Sequence, residues 1–467
     1  MSDGGTLSEQ LAAFAVATVR AGAPEEVRSS AYQRMLDITG IQLAALGLDT
    51  SRAALGFVKD QGGAEQATAL GIEQRVPASW AAFVNGTLAH SLDYDDTHLP
   101  SVLHPSASVV PAAVAAAEAS GCDSTRFLDA VAVGIEVVVR IGMAGYDCES
   151  QNSVFFEHGQ HATSICGAIG SAVAAGLATG FEEVKLVDAI GVAASMASGI
   201  IEANRTGGTV KRLHCGWAAH AGVTAAQLVA RGFTGPPTAL EGRFGFFEAF
   251  LHGVVRLEAV TADLGTAWEV PGIFFKPYPA NHFTHTGLDA ARHVRKVLGI
   301  GPDDVQEAVL GVGSPTVRTI GEPLEVKQRP ATGYEAQFSG PYMVALGFLG
   351  GGGLGACLDD FTDERAADAS HRALMARIRV VGDTRCDEIY PYQFPSVLTV
   401  RTHDGSEVVH EVLHNRGGPD APLSDEELAA KFRDNAARAI GYEDVDAVTD
   451  AVRQCQEHGS IVQVRSR

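Results

Sequence analysis

Residues 90–107 read HSLDYDDTHLPSVLHPSA and place His90, His98 and His104 among Asp93, Asp95 and Asp96. Histidine gives and takes protons near neutral pH, and a carboxylate beside it can orient the ring or hold a lysine in its charged form. The same residue types ligate metals. Their spacing here matches neither an H-E-x-x-H helix nor an EF-hand loop, so no metal is assigned. Asp and Ser also have a plain structural use, satisfying backbone N–H groups before the helix expected from PSASVVPAAVAAA. Six titratable side chains on one short link exceed that need, and proton transfer by at least one of the histidines is the expectation.

Three further segments carry basic groups beside glycine or proline. In FFEHGQHATSICGAIGSA, His158 and His161 precede a helix of small residues, whose N-terminus would attract an anion. In RTGGTVKRLHCGWAAHAG, Lys211, Arg212 and His214 follow two glycines at a helix entrance, a plausible carboxylate clamp. This is not a phosphate loop, because G-x-x-x-x-G-K-[ST] is absent. In FFKPYPANHFTHTGLDAA, Lys276 is followed by two prolines and then by Asn281, His282 and His285. Taken singly, each segment also reads as a cap, a solvated turn or a stiff linker. Taken together, they suggest a cationic pocket in an acidic chain. Neither a G-x-S-x-G elbow nor a G-x-G-x-x-G turn after a strand is present, which argues against a serine triad and a dinucleotide fold.

The elements that must position these groups are mostly helical. From residue 1 to about 267 the chain repeats apolar residues at helical spacing, with glycine or Asx residues between the segments. Thr6 with Glu9, and Ser424 with Glu427, have the spacing of capping boxes. Near Val270 the pattern changes. DVQEAVLGVGSPTV, RIRVVGD and SVLTVRTHDGSEVVHEVLHN read as strands, the last as a hairpin about His403–Ser406. The expected fold class is mainly α: a large all-helical domain, discontinuous in sequence (residues 1–267 plus 411–467), with a smaller α+β domain over 268–410 inserted in it. The uncharged run 162–181 is long enough to raise a membrane span, but its Gly, Ala and Ser content predicts a buried helix instead.

The 467 residues carry a net charge of −21, which argues against nucleic acid and anionic membranes as partners. A small anionic substrate is compatible if local lysines and histidines gather around it. The seven cysteines are odd in number, scattered and never in a C-x-x-C pair, as expected of reduced thiols in the cytoplasm. The first twenty residues lack the basic n-region of a signal peptide.

The first motif, with GQHATSICGAIGSAVAAG, TVKRLHCGWAAHAG, KPYPANHFTHTGLDAA and YEAQFSGPYMVALGF, resembles the MmgE/PrpD family, which includes 2-methylcitrate dehydratase, cis-aconitate decarboxylase and iminodisuccinate epimerase. The resemblance spans most of the chain. It implies a discontinuous helical domain with a smaller lid, a homodimer, and no metal or organic cofactor. It also implies pocket residues at Asp93, His104, His161, Lys211 and Lys276. Lys211 and Lys276, with His214 and His282, are the expected substrate contacts; His104 or His161 is the acid or base. The implied chemistry is proton transfer at a carbon beside a carboxylate, on a di- or tricarboxylic acid. Cis-aconitate decarboxylases of the family have a pocket tyrosine after the first strand of the lid; here GVGSPTVRTIGEP has none, and Thr316, Val317 and Arg318 occupy that stretch. Lys-x-Leu-His at 211–214 looks more like the decarboxylase and epimerase branches. The expectation puts dehydration first, decarboxylation or epimerisation on the same scaffold second, and a non-catalytic carboxylate-binding protein third.

Overall fold

The structure is a computed structural model and describes residues 5–149, 152–203, 207–441 and 445–449. The protein is mainly α, as the sequence predicts. It forms two compact units. One runs to Ile273 and resumes at Phe432; the other is Phe274–Lys431.

In the first unit the Ala162–Ala178 helix is buried along its whole length. It packs against the helices Ser124–Ala144, Ser106–Ser120, Glu183–Met196 and His214–Val229. Small residues let these backbones approach closely. One close crossing is between His214–Val229 and Ala78–His90. A Cβ on Gly216 would lie 2.1 Å from Thr87 Oγ1 and 2.3 Å from the Phe83 carbonyl oxygen. The uncharged run is therefore core, and among the described residues no helix is long and apolar enough to cross a membrane. The Leu7–Ala21 helix opens with the Thr6–Glu9 capping box.

Arg34, buried on the Glu25–Ala45 helix, ties this unit together. Its Nη1 donates to Asp96 Oδ2 at 2.9 Å, and its Nη2 donates to the carbonyls of Val270 at 3.2 Å and Ile273 at 2.8 Å. One guanidinium thus fixes both the loop after His90 and the end of the first stretch of this unit.

The second unit is built on a four-stranded sheet. After the two-residue ladder β1 (Tyr146–Asp147) and β2 (Asn152–Ser153) of the first unit come β3 (Val305–Val312), β4 (Ile378–Gly382), β5 (Ser396–Thr402) and β6 (Glu407–Val412). The order is β4-β3-β5-β6, with β3 parallel to β4 and antiparallel to β5, and β5 and β6 forming the expected hairpin. The helices His285–Val297 and Gly340–Leu349 share its apolar core. The strand expected through Val317 stops at Val312. Gly313 then leads into a Ser314–Ile320 helix with Pro315 in its first turn, where the missing N–H costs nothing. The Ser424–Glu427 capping box forms ahead of the Asp425–Ala436 helix. Residues 442–444 and 450–467, part of the stretch expected to complete the helical domain, lie outside the described residues.

Candidate active site

The opening motif starts as the Ala78–His90 helix ends. Its loop doubles back through a short antiparallel bridge between His98 and Leu103 before the Ser106–Ser120 helix begins. Two of its polar residues are structural. Asp96 accepts hydrogen bonds from Ser106 N at 3.2 Å and Ser106 Oγ at 2.5 Å, capping that helix while it pairs with Arg34. Burial pushes the Asp96 carboxyl upward, and Arg34 and Ser106 oppose the shift. His98 is held between Ser101 Oγ at 2.7 Å and Glu269 at 3.3 Å; burial lowers its pKa.

His104 is half-buried and faces a different use. Its Nδ1 donates to the Asp96 carbonyl at 2.5 Å, and its backbone N–H donates to Thr163 Oγ1 at 3.2 Å. A carbonyl only accepts, so Nδ1 carries the hydrogen and Nε2 is the basic nitrogen of the neutral ring. His161 stands at the N-cap of Ala162–Ala178, and His214 opens His214–Val229. Their Nδ1 atoms lie 2.9 Å apart, so one ring donates and the other accepts. That bond requires at least one of the two nitrogens to be unprotonated. Burial, followed by the nearby His90, His214, Lys211 and His104, holds His161 well below the ordinary histidine value. Burial, His90 and Lys211 bring His214 down to about 4.

His90 links these rings. Its centroid is 5.5 Å from that of His104 and 5.5 Å from that of His161, and His161 is 4.9 Å from His214. Its Nδ1 is 2.7 Å from Asp95 Oδ2, and both side chains are fully buried. Alongside the row, Lys211 Nζ donates to Asp93 Oδ1 at 3.0 Å. Lys211 sits on the one-turn helix Val210–Leu213 that leads directly into His214. Asp93 adopts a left-handed backbone, φ 52°, uncommon for residues other than glycine although aspartate enters it more readily than most.

Asp93, His104, His161, Lys211 and His214, read from separate motifs, thus gather in the first unit. Lys276 and His282 belong to the second. Lys276 is buried in the segment after Phe275, whose N–H donates to the Gly417 carbonyl at 2.9 Å. His282 is buried in the His282–Thr284 turn, with its ring near Phe274, His285 and Phe394. The pairing of His90 with Asp95 was not foreseen from the sequence. The only signal available was a histidine at a helix end five residues before an aspartate, which singles out neither residue.

By residue type, His90, Asp95 and Cys215 form a possible ligand set, with one donor atom of each within 4.8 Å of the others. The chemistry does not favour a cation there. His90 and Asp95 already engage each other, and burial holds the Cys215 thiol far above its ordinary pKa, keeping it protonated rather than a thiolate.

Residues 9–257 match the MmgE/PrpD N-terminal domain, and residues 278–457 match the MmgE/PrpD C-terminal domain. Among named relatives, the cis-aconitate decarboxylase of Homo sapiens is 30% identical over 401 residues, covering 82% of this chain and 78% of that protein. The cis-aconitate decarboxylase of Mus musculus is 28% identical over 445 residues, covering 91% and 85%. A cis-aconitate decarboxylase-like protein of Aspergillus oryzae is 26% identical over 458 residues, covering 92% and 90%.

Proposed function

The chain belongs to the MmgE/PrpD family, and from that premise we propose that it is a cofactor-independent lyase that moves a proton at a carbon beside a carboxylate of a di- or tricarboxylic acid. The observation that carries this reading is the row of imidazoles, His104, His90, His161 and His214, beside the Lys211–Asp93 pair. Abstraction of such a proton, or loss of CO₂ next to it, leaves an enediolate-like charge that needs fixed positive groups. In this reading Lys211 supplies one, kept charged by Asp93, and Lys276 supplies another. His104 acts through Nε2 as base or acid. The His161–His214 pair offers a neutral donor and acceptor. His282 adds a substrate contact.

The names of the relatives favour decarboxylation of a cis-aconitate-like acid, ahead of the dehydration that the sequence suggested. In that reaction the bond from carbon to a carboxylate breaks, CO₂ departs, and a histidine proton goes to the carbon that keeps the electron pair. Dehydration of a 2-methylcitrate-like hydroxy acid is the second reading. The Ser314–Ile320 helix favours it, because the segment has no tyrosine and instead places Thr316, buried, after β3. There the carbon loses its proton to the base, and the hydroxyl leaves as water with a proton from the acid. The reading further takes the discontinuous unit that runs to Ile273 and resumes at Phe432 as the helical domain, and Phe274–Lys431 as the smaller α+β domain, of a cytoplasmic homodimer.

The test incubates the protein with cis-aconitate, citrate, 2-methylcitrate and aspartate-derived acids in D₂O, followed by proton NMR and CO₂ release. Loss of CO₂ identifies a decarboxylase, loss of water a dehydratase, and deuterium exchange or inversion at constant skeleton an epimerase. Lys211→Ala and His104→Ala should each lower turnover by about two to four orders of magnitude with an unchanged circular dichroism spectrum. Binding without turnover of any acid would overturn the lyase reading, and wild-type rates in either variant would remove that residue from it.

A further inference from the structure

Four imidazoles stand in a row at the end of Ala78–His90, and the mechanism above uses three of them. The fourth, His90, has ring contacts to both His104 and His161. It is fixed differently from the others. Its Nδ1 faces a buried carboxylate, Asp95 Oδ2, at 2.7 Å, and a carboxylate can only accept, so Asp95 sets the ring's tautomer and plane. Nε2, on the opposite edge of the ring, is buried without a hydrogen bond to the described residues.

We infer that His90, oriented by Asp95, is a positioning residue that couples the imidazoles of His104, His161 and His214 so that the row accepts one proton and resists a second. The inference rests on the reading of His104 and His161 as acid–base groups and deepens it. Charges about 5 Å apart in a desolvated site interact strongly enough to shift each other's titration by more than one pH unit. Among the described residues His90 is the one ring in contact with both candidate acid–base histidines, so it is where that coupling passes. The groups facing it from the packed elements agree with this. Asp95 and Asp96 lie in its own loop. His104 stands before Ser106–Ser120, His161 opens Ala162–Ala178, and Lys211, His214 and the protonated Cys215 come from Val210–Leu213 and the helix that follows it. The lowered titration of His161 and His214 each has His90 as its largest cause after burial itself. For catalysis, the consequence is that one imidazole at a time is the acid while its neighbours remain bases, which a reaction with a single proton transfer requires.

The test is histidine titration of the full-length protein labelled with ¹⁵N-histidine, read by ¹⁵N chemical shifts without substrate. In His90→Gln, the midpoints of His161 and His214 should rise by about one pH unit, because His90 no longer opposes their protonation. In Asp95→Asn, the Nδ1–H signature of His90 should weaken, and Asp95→Glu should restore it. In parallel, the acid limb of the pH–rate profile with the best substrate should move to higher pH in His90→Gln. Unmoved midpoints in His90→Gln, with only a lowered melting temperature, would reduce His90 to a packing residue and overturn the inference. Because the NMR reading needs no turnover, failure to find a substrate would count against the proposed function and leave the coupling test intact.

Discussion

Lowering the pH from 7.5 to 5 should destabilise the first unit through its buried histidines, and His214 allows the size to be worked out. Its folded pKa is about 4, against 6.5 for the ordinary side chain. The folded protein therefore binds fewer protons than the unfolded chain between those two values. The contribution is fully present above pH 6.5 and is lost as pH falls toward 4. Linkage across that window gives about 2 kcal/mol at pH 5, and partial solvent screening brings the expected value to about 1–2 kcal/mol. The cause is that a protonated His214 would sit desolvated beside His90 and Lys211. The assay is urea unfolding of the wild type and of His214→Asn at both pH values. Asparagine is chosen because its side-chain amide can still reach His161 Nδ1. The wild type should lose more stability on acidification than the variant, by about 1–2 kcal/mol. Equal losses in the two proteins would mean that His214 is not held neutral, and the electrostatic account of the site would fail with it.

Two further outcomes test the scaffold. Gly216→Ala should destabilise the protein by about 1–3 kcal/mol, seen as a lower urea midpoint, because its methyl would meet Thr87 Oγ1 at 2.1 Å and backbone oxygen at 2.3 Å. Arg34→Met should cost about 3–5 kcal/mol, since it strands the buried Asp96 carboxylate and two buried carbonyls; thermal melts would register it, and a loss below about 1 kcal/mol would mean the site collapses around the change.

Much of the fold was legible in short stretches because the forces involved are local. The capping boxes at Thr6 and Ser424, the hairpin about His403–Ser406 and the small-residue helix at 162–178 follow from neighbours within four residues or from a simple period. The strand expected to run through Val317 failed for an equally local reason that the hydrophobic pattern masked. Pro315 suits a helix start, and the apolar run beyond it belongs to a helix. From residue types and spacing alone the site was legible only as a set of candidates, and the family resemblance narrowed them to named positions without giving their contacts. Asp96 and Asp95 are adjacent, yet one caps a helix against Arg34 and the other orients His90.

What the sequence by itself determined is the chemistry on offer: histidines, carboxylates and lysines in four motifs, a net charge of −21, and the helical spacing that carries them. What the tertiary structure alone decided is which of these groups touch and which are held neutral. His161 and His214 are 53 positions apart, and Lys211 and Asp93 are 118 apart. Charge state in such a cluster depends on desolvation and on distances through space, and neither quantity is written in the order of the residues.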